Sequence, residues 1–403
     1  MRILAVSHSA IIDINRKLFV ELARRDHQVM LVIPSRWKNE YGRLPLRPQP
    51  LSSAPPKNFA LRAFRIGMAG KTSFQTYFPD ALLSLARWRP DAVLVDEEPW
   101  SIATLQWAAF ATLLRRPFIV RTNENRIRAY PWPFSLIFST ILRRAAWIVT
   151  VNNDGLDVLT HHHYAGQASL LPYAVDTGLF FPVDRPNEVG RPLQVGFVGR
   201  IAHAKGIDTL LRAVALLATA TKGNRDIAIH IYGDGEPAYV AQLRQLQHDL
   251  AIPEGVVQWH GAVAHRNVPD AIRSLDVLVV PTAPYKGYKE QFGRVVIEAL
   301  ACRIPLITSD NGELPVLIRQ TGGGLVFPAE NAQELARCIK TAITSRDTFV
   351  SMAQRGYDYV LTHYTYNVLT DMLEVVMKTV QSRYGPVTAG VQRMAAPYIS
   401  PES

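Results

Sequence analysis

Residues able to do chemistry on a charged substrate concentrate in four short segments of the second half of the chain. The first segment, residues 199–206, reads Gly-Arg-Ile-Ala-His-Ala-Lys-Gly and joins a strand-like apolar run to a helix-like one. Arg200 and Lys205 therefore stand beside a predicted helix N-terminus, whose backbone amides favour anions. Two fixed cations at this place could bind a diphosphate and stabilise it as it leaves, whereas the plainer alternative is two surface cations near a turn.

The second segment, residues 232–237, also follows an apolar run and reads Tyr-Gly-Asp-Gly-Glu-Pro. It partly matches the glycine fingerprint of dinucleotide-binding folds, with Ala238 in place of the third glycine, and a lone match of this kind is weak. Gly233 and Gly235 indicate either a ligand close to the backbone or a plain tight turn.

The third segment, residues 290–298, reads Glu-Gln-Phe-Gly-Arg-Val-Val-Ile-Glu. Gly293 lets the backbone approach a ligand at the start of a predicted helix over 295–301. Glu290 precedes this helix and Glu298 lies about one turn inside it, so both carboxylates could face one cleft. Two such carboxylates are usually only solvated, but Glu298 stands in an apolar run, where an unpaired charge is costly, and we expect it to have a hydrogen-bonding partner. The fourth segment, residues 309–315, is another turn after a strand-like run.

Short apolar runs and helix-periodic stretches alternate along both halves of the chain, which is typical of a parallel sheet covered on both faces. We therefore predict an α/β fold with two Rossmann-like, doubly wound domains that face each other across a cleft. In such open sheets ligands bind outside the carboxyl ends of the strands, and all four segments follow predicted strands. The predicted strands are 2–6, 28–33, 92–95, 118–121, 148–151, 193–198, 227–232, 256–259, 277–280 and 306–308, and the main predicted helices are 14–25, 207–220, 238–250, 295–301 and 332–345.

The chain of 403 residues has room for two domains of about 150–200 residues each. The proline-rich segment 182–192 is the best place for a linker, so we predict domains over 1–182 and 193–365. Residues 366–383 have amphipathic helical spacing. The Pro-, Gly-, Ala- and Ser-rich residues 384–403 are expected to form a disordered tail.

Composition excludes several other classes of protein. The chain is 48% hydrophobic and 19% charged, which is neither disordered nor fibrous. Its two cysteines exclude a disulfide framework. The longest nearly apolar run, 101–114, is shorter than the about 20 residues of a membrane-spanning helix, and the N-terminus has no signal-peptide pattern. We expect a cytoplasmic protein.

Net positive charge is concentrated in the first half of the chain. Residues 1–180 contain 22 Lys and Arg against 13 Asp and Glu, a net charge of +9, whereas the remainder has a net charge of +1. Such asymmetry indicates an anionic partner or, equally, an arginine-rich solvated surface. Residues 132–147 could form a basic amphipathic helix that lies on a membrane, although a core helix with exposed arginines is slightly preferred. No metal site is expected at the histidine run 161–163 or the acidic cluster 96–98.

Taken together, the four segments resemble the retaining, nucleotide-sugar-dependent glycosyltransferases of GT-B fold known as group 1. The family patterns Val-Gly-Arg-x4-Lys-Gly, Gly-x-Gly, Glu-x7-Glu with an internal Phe-Gly, and Ala-x3-Pro match residues 198–206, 233–235, 290–298 and 301–305. The segment 171–180 also resembles the family's linker. The resemblance implies that the amphipathic helix 366–383 packs back on the first domain.

By this resemblance the catalytic residues are Arg200 and Lys205, which hold the donor diphosphate, and Glu290, which contacts hydroxyls of the transferred sugar. Glu298 would contact the nucleotide ribose. The full set of implied donor-binding residues beyond the catalytic three is Gly199, Gly233, Gly235, Phe292, Gly293, Arg294, Val295 and Glu298. No metal ion or cofactor is expected, because the two cations supply the charge and the nucleotide sugar is a co-substrate.

The first half departs from the family pattern. Residues 7–15 replace the Gly-Gly turn that many members have after the first strand, and residues 121–126, Arg-Thr-Asn-Glu-Asn-Arg, stand where many have a histidine. Asn123, Glu124 and Asn125 are the candidates for contact with the sugar or the acceptor, and which of them enters the cleft is left open.

The expected function is transfer of a hexose-type sugar, with retention, from a nucleoside diphosphate donor to an acceptor hydroxyl in cell-surface polysaccharide or glycolipid assembly. A lipid-linked acceptor and an anionic membrane surface at the inner face are the expected partners, and nucleic acid is not. A dinucleotide-dependent oxidoreductase is a weaker alternative, since the first strand lacks the fingerprint that such enzymes need. A non-catalytic binder of nucleic acid or membranes is the third alternative, but no recognised binding module is present.

Overall fold

Two parallel β-sheets, each with helices on both faces, form the framework of the chain. The computed structural model describes residues 1–38, 46–51, 54–184, 190–220 and 226–384. The strands are β1 (Arg2–Ser7), β2 (Gln28–Pro34), β3 (Phe59–Phe64), β4 (Ile66–Gly67), β5 (Thr76–Tyr77), β6 (Ala92–Asp96), β7 (Phe118–Thr122), β8 (Trp147–Thr150), β9 (Ala168–Leu170), β10 (Leu193–Val198), β11 (Ile227–Tyr232), β12 (Val257–Gly261), β13 (Val277–Val280), β14 (Leu306–Ser309) and β15 (Gly324–Phe327).

The α-helices cover the sheets and connect successive strands. They are α1 (Lys17–Arg24), α2 (Pro79–Ala86), α3 (Ile102–Leu113), α4 (Phe134–Arg144), α5 (Asn153–His161), α6 (Ile207–Ala220), α7 (Pro237–Asp249), α8 (Val268–Arg273), α9 (Arg294–Ala301), α10 (Leu314–Thr321), α11 (Ala332–Thr344), α12 (Arg346–His363) and α13 (Tyr366–Tyr384). Among the residues that the structure describes, no helix combines the length and apolar composition of a membrane span.

Both sheets have the doubly wound strand order. The first runs β3-β2-β1-β6-β7-β8-β9 and the second β12-β11-β10-β13-β14-β15, with every pair parallel. The order reverses between β1 and β6 in the first sheet and between β10 and β13 in the second. A ligand site is expected at each such reversal, beyond the carboxyl ends of the strands. The predicted α/β fold with two Rossmann-like domains is confirmed.

Central strands are apolar along their whole length because both faces of each sheet are covered. In β1, for example, Ile3 to Val6 are fully buried. One face of the first sheet packs on α1 and the other on α2, α3 and α4. The second sheet is sandwiched between α6, α7 and α11 on one face and α8, α9, α10 and α12 on the other.

Helix α13 returns to the first domain. Leu369, Leu373 and Met377 are buried in the same cluster as α1 and the first sheet. At the helix surface His27 Nε2 lies 3.0 Å from Glu374 Oε1, which adds a polar contact to this packing. Helix α13 therefore packs the C-terminal part of the described residues on the first domain.

The chain crosses between domains before the proline-rich segment that we expect as the linker. Leu171 is buried with the first domain, whereas Val175 and Phe180 are buried with α9 and the second sheet. Residues 185–189 of that segment, and residues 385–403 of the expected tail, lie outside the described residues.

Candidate active site

The four predicted segments meet at the carboxyl edge of the second sheet. Ile201 N donates a hydrogen bond to Asp234 O at 2.9 Å, which joins the first segment to the second. Glu313 N donates to Glu290 O at 3.1 Å, which joins the fourth to the third. Parallel strands place their carboxyl ends at one edge, so residues far apart in sequence form one surface.

Lys205 and Glu290 form an ion pair at the centre of this surface. Lys205 Nζ donates to Glu290 Oε2 at 2.5 Å and to Tyr288 Oη at 3.3 Å. Tyr288 Oη donates to Glu290 Oε1 at 3.3 Å, and Thr282 Oγ1 donates to Glu290 Oε2 at 3.2 Å. The Lys205 side chain is 19% exposed and that of Glu290 9% exposed. Two of the three predicted catalytic side chains are thus held against each other with little solvent around them.

The charge on Lys205 is secured by its neighbours. Burial alone would lower the pKa of this ammonium, but Glu290 and Tyr288 outweigh it, and the net pKa is raised above its usual value. Lys205 is therefore fully protonated at neutral pH. Arg200, five positions earlier, is exposed at the end of the β10 turn.

The backbone of Glu290 is fixed by the turn after β14. Asn311 Oδ1 accepts from Glu290 N at 2.7 Å, and Asn311 Nδ2 donates to Tyr288 O at 3.2 Å. Gly312 has a φ of +60°, and a Cβ there would lie 2.2 Å from Glu290 O. Only glycine fits such a conformation at this distance. From the sequence this segment is expected to form a turn that completes the pocket wall, but Asn311, Tyr288 and Thr282 were not singled out as its polar contacts.

The glycine pair of the second segment serves packing between two turns. A Cβ on Gly233 would lie 1.8 Å from Gly199 O, and a Cβ on Gly235 would lie 2.1 Å from Ile201 O. Gly199 N donates to Tyr232 O at 3.0 Å. The tight-turn interpretation explains both glycines without a ligand, and donor contact by these residues stays a prediction.

Helix α9 begins at this surface and points its first residue at the other domain. Gly293, with a φ of +79°, precedes the helix, and Phe292 beside it is buried. Arg294 Nη1 donates to Asn15 Oδ1 at 2.7 Å, and its guanidinium lies 3.8 Å from the ring centre of Tyr173. Arg294 therefore bridges the domains, while Val295 after it is half-buried.

Glu298 lies one turn inside α9 and is half-buried. Burial raises the pKa of its carboxyl to about 7, and Arg294 one turn earlier opposes this shift. The expected hydrogen-bonding partner is absent: no side chain or backbone group in the described ranges bonds to this carboxyl. The expectation was wrong because a carboxyl with a pKa near 7 is partly neutral at neutral pH, which lowers the cost of leaving it without a hydrogen-bonding partner. A carboxyl that titrates near neutrality is available to bind hydroxyl groups.

Asn123, Glu124 and Asn125 follow β7 and differ in their surroundings. Glu124 is buried and accepts from Trp100 Nε1 at 3.0 Å and Arg128 Nη2 at 2.6 Å, so it is satisfied within its own domain. Asn123 Oδ1 accepts from Tyr173 Oη at 2.5 Å.

Asn123 is reached across the cleft through its backbone oxygen, which accepts from Gln291 Nε2 at 3.0 Å. Asn125 is the member of the trio whose side chain crosses the cleft. Its Nδ2 donates to Lys289 O at 3.3 Å, one residue before Glu290. Asn152 Nδ2 donates to Gln291 O at 2.9 Å, and Asn153 Nδ2 donates to Glu313 Oε1 at 2.7 Å. The domains are thus in contact beside the Lys205–Glu290 pair.

The acidic cluster 96–98 is occupied by protein partners. Asp96 Oδ1 accepts from Arg121 Nη1 at 3.0 Å, and Asp96 Oδ2 accepts from Ser7 Oγ at 2.7 Å. Glu98 Oε2 accepts from Thr122 Oγ1 at 2.5 Å, and burial raises the pKa of the Glu98 carboxyl to about 7. Across the described ranges, no group of three or more His, Cys, Asp or Glu side chains is placed to bind a metal ion.

Sequence reasoning noted residues 7–15 and 96–98 separately, but it did not predict that His8 and Glu97 meet. His8 follows β1 and Glu97 follows β6, and His8 Nδ1 lies 2.5 Å from Glu97 Oε2. The available signal was a polar residue directly after each of the two strands that flank the reversal of strand order.

Comparison with known proteins decides the family of the second domain. Residues 183–359 match the family model described as glycosyl transferases group 1. This part of the chain belongs to the group 1 glycosyl transferases. All the predicted catalytic and donor-binding residues lie inside the matched range, whereas Asn123, Glu124 and Asn125 lie outside it.

Curated relatives of this chain include two glycosyltransferases. The chain is 27% identical over 263 residues to the GDP-mannose-dependent alpha-(1-6)-phosphatidylinositol monomannoside mannosyltransferase of Mycobacterium tuberculosis, which covers 60% of this chain and 65% of the relative. It is 34% identical over 145 residues to the D-inositol 3-phosphate glycosyltransferase of Streptomyces bingchenggensis, with 35% of this chain and 30% of the relative covered. The chain therefore spans under two thirds of the length of either relative.

Solved structures extend the likeness in fold to both domains. Sucrose-phosphate synthase from Thermosynechococcus elongatus superposes with a TM-score of 0.69 at 18% identity and covers 95% of this chain and 100% of its own. Anabaena HepE in complex with UDP superposes with a TM-score of 0.71 at 15% identity, and the match covers 94% of this chain and 100% of the HepE chain. The group 1 domain and the GT-B fold are confirmed.

Proposed function

We propose that this protein is a retaining glycosyltransferase that moves a hexose-type sugar from a nucleoside diphosphate donor to an acceptor hydroxyl. The observation that supports this most strongly is the Lys205–Glu290 pair at the carboxyl edge of a group 1 domain. A positive and a negative side chain are held there in fixed positions. The positive one suits the anionic leaving group of such a substrate, and the negative one suits the hydroxyls of its sugar.

The difficult step is cleavage of the bond between the sugar and the diphosphate, because negative charge accumulates on the leaving group. Fixed cations and oriented amides stabilise such charge better than mobile water does. Lys205 and Arg200 would supply the positive charge, and the backbone amides at the start of α9 would add theirs. In this proposal the two side chains take the place that a divalent metal ion has in other transferases.

Glu290 would orient the transferred sugar through hydrogen bonds to its hydroxyls. Its carboxylate is held by Lys205, Tyr288 and Thr282, so it cannot turn away when the donor enters. Glu298 would accept hydrogen bonds from the ribose hydroxyls, which fits a carboxyl that accepts no hydrogen bond from any residue in the described structure. Contact between the domains beside this pair would exclude water that otherwise hydrolyses the donor.

The acceptor side of the proposal rests on the first domain. Its net charge of +9 favours an acceptor attached to an anionic lipid. Helix α4 buries Ile137, Phe138 and Ile141, as the core-helix alternative requires. Its outer surface nevertheless exposes Leu136, Arg143 and Arg144, and Trp132 just before it is 81% exposed.

We infer that this outer surface of α4 attaches the protein peripherally to the inner face of a membrane, with a lipid-linked acceptor as the substrate. An exposed tryptophan before the first turn of a helix and exposed arginines in its last turn are residue types that suit the membrane interface. The relative from Mycobacterium tuberculosis is named for a phosphatidylinositol mannoside acceptor, which supports the same class of substrate.

A donor screen tests the proposed function. The purified protein is incubated with a panel of nucleotide sugars and membrane extract, and release of nucleoside diphosphate is measured. One donor should give release that depends on the extract. Lys205→Ala should abolish it, whereas Lys340→Ala, which removes an exposed lysine on α11, should not. Equal release by wild type and Lys205→Ala would contradict the proposal.

A further inference from the structure

Two carbonyl groups that flank Glu290 accept hydrogen bonds from the first domain. Asn125 Nδ2 donates to Lys289 O at 3.3 Å, and Asn152 Nδ2 donates to Gln291 O at 2.9 Å. A carbonyl oxygen can only accept, so each contact needs a donor on the other domain, and the asparagine amides supply it. The main chain on both sides of the proposed sugar-binding carboxylate is therefore held from across the cleft.

The carbonyl of Glu290 itself is linked to the first domain through one further residue. Glu290 O accepts from Glu313 N at 3.1 Å, and Glu313 Oε1 accepts from Asn153 Nδ2 at 2.7 Å. Asn153 N donates to Glu313 Oε2 at 3.2 Å, so both carboxylate oxygens of Glu313 are held by one residue. The three residues of the first domain, Asn125, Asn152 and Asn153, are called the asparagine clamp below.

The strand order of the first sheet brings the clamp together. Strands β7 and β8 are parallel neighbours, and their last residues, Thr122 and Thr150, are in register. Asn125 follows the first of these strands, and Asn152 and Asn153 follow the second. Asn125 is 4% exposed and Asn152 is 1% exposed. Because a buried amide without a partner is costly, both side chains favour the arrangement in which the domains are in contact.

Asn152 can offer only its amide N–H groups to the second domain. It is the N-cap of α5, where its Oδ1 accepts from Gly155 N at 2.7 Å. The amide cannot rotate by half a turn without loss of this cap. Its Nδ2 is therefore directed at Gln291 O, and one side chain has two separable functions, one in the helix and one at the domain contact.

We infer that the asparagine clamp positions the Glu290 main chain, and with it the sugar-binding carboxylate, when the two domains are in contact. The inference rests on the proposed function. Separation of the domains would break the four hydrogen bonds of the clamp together. A shift of about 1 Å in a catalytic group can lower a rate about 10²-fold. Cleavage of the donor is thereby coupled to the closed arrangement, in which bulk water is excluded.

Asn152→Asp separates the two functions of this side chain. The new carboxylate still caps α5, and negative charge is favourable at a helix N-terminus, so the fold of the first domain should be retained. It has no N–H for Gln291 O and instead places negative charge beside a carbonyl oxygen. We expect kcat for diphosphate release to fall about 10²-fold. The Kd of the released nucleoside diphosphate should stay close to that of wild type, because its proposed contacts all lie in the second domain.

Asn331→Asp is the matched control. Asn331 is the N-cap of α11, and its Oδ1 accepts from Glu334 N at 3.0 Å, as in the cap of α5. The same change of an amide to a carboxylate is therefore made at a second helix cap that takes no part in the clamp. Its kcat should equal that of wild type, and a loss as large as that of Asn152→Asp would overturn the inference.

A double-mutant cycle shows whether Asn152 acts through Glu290. In the Glu290→Gln background, Asn152→Asp should lower kcat much less than it does in the wild-type background, because the group that it positions is already altered. A purely structural role predicts the same fold-change in both backgrounds, and that result would overturn the inference. Wild-type kcat in folded Asn152→Asp would also overturn it.

Asn125→Asp gives a second variant that involves no helix cap, should Asn152→Asp fail to fold. It removes the donor to Lys289 O, and we expect a lower kcat with an unchanged Kd for the nucleoside diphosphate. Unchanged kcat in this variant would overturn the inference as well. Failure of the proposed function would look different, because Lys205→Ala would then have no effect on diphosphate release, whereas failure of the clamp alone leaves that effect intact.

Discussion

Removal of the Lys205 charge should separate a loss of catalysis from a loss of stability. In Lys205→Met the carboxylate of Glu290 keeps only the hydroxyl donors Thr282 and Tyr288, at 3.2 and 3.3 Å, in place of an ammonium at 2.5 Å. An unpaired, largely buried charge costs about 3–5 kcal/mol. Lost stabilisation of the leaving diphosphate should lower kcat by about 10²-fold or more.

The double variant Lys205→Met/Glu290→Gln makes the test specific. It removes both charges, so it should recover much of the lost unfolding free energy, because replacement of a buried pair by neutral groups is often close to neutral. Its kcat should remain at least as low as that of Lys205→Met, since neither charge is available to the donor. Thermal unfolding and initial rates of diphosphate release give the two quantities, which form a double-mutant cycle.

Near-wild-type turnover by a folded Lys205→Met variant would refute the reasoning. Recovery of both stability and turnover in the double variant would also refute it, because the pair would then be purely structural. Lys205→Arg provides the control for charge, since it keeps the cation and changes its shape.

Four further predictions concern Glu298, Gly312 and the outer surface of α4. Glu298→Gln should weaken binding of the nucleoside diphosphate by about 1–3 kcal/mol in calorimetry, and unchanged affinity would make the residue structural. The Glu298 pKa is about 7 in the folded protein against 4.5 normally, so the folded state binds a proton more tightly than the unfolded state does. The unfolding free energy should therefore decline as the pH rises from about 4.5 through 7. Glu298→Gln should remove this decline. Gly312→Ala should displace the Glu290 backbone and lower both activity and thermal stability, whereas Gly255→Ala, where a Cβ meets no atom within 4 Å, should retain activity. Liposome flotation should recover the protein with anionic but not neutral vesicles at about 0.1 M salt. Recovery should be lost at about 1 M salt, because the Debye length falls from about 10 to about 3 Å. Trp132→Ser should weaken recovery, and equal recovery under all conditions would mean that the basic half is only a solvated surface.

Local apolar periodicity predicted the central elements of the fold. Strands β10, β11 and β13 and helix α6 have the predicted bounds, because their residues are buried together and read as continuous or periodic apolar runs. The edge strand β3 was missed, since it is only partly buried and includes an arginine.

Helix α12 was missed for a different reason. Its buried positions are Phe349, Ala353, Gly356 and Val360, which have helical spacing. Ala353 and Gly356 are small, so they contribute little to a hydrophobic pattern. Helix α12 packs closely at Gly356, where an added Cβ would lie 2.5 Å from a Leu300 side-chain atom. Close helix packing on small residues leaves little trace in a hydrophobic pattern.

The polar contacts of the two domains differ in how far sequence could predict them. Lys205 and Glu290 lie in motifs whose spacing is local, so they could be identified without the fold. His8 and Glu97 are 89 positions apart and meet only because β1 pairs with β6. No local pattern encodes that contact, and the strand order had to be known first.

NMR analysis of the product formed from an α-linked nucleotide sugar determines the anomeric configuration of the new glycosidic bond, and so tests the proposed reaction directly. The proposal predicts a new α-glycosidic linkage to an acceptor hydroxyl, with one nucleoside diphosphate released for each sugar transferred, and loss of both signals in Lys205→Met. A β-linked product would contradict retention. Tight binding of the nucleotide sugar with no transfer to any lipid-linked or soluble acceptor would contradict the assignment of a transferase.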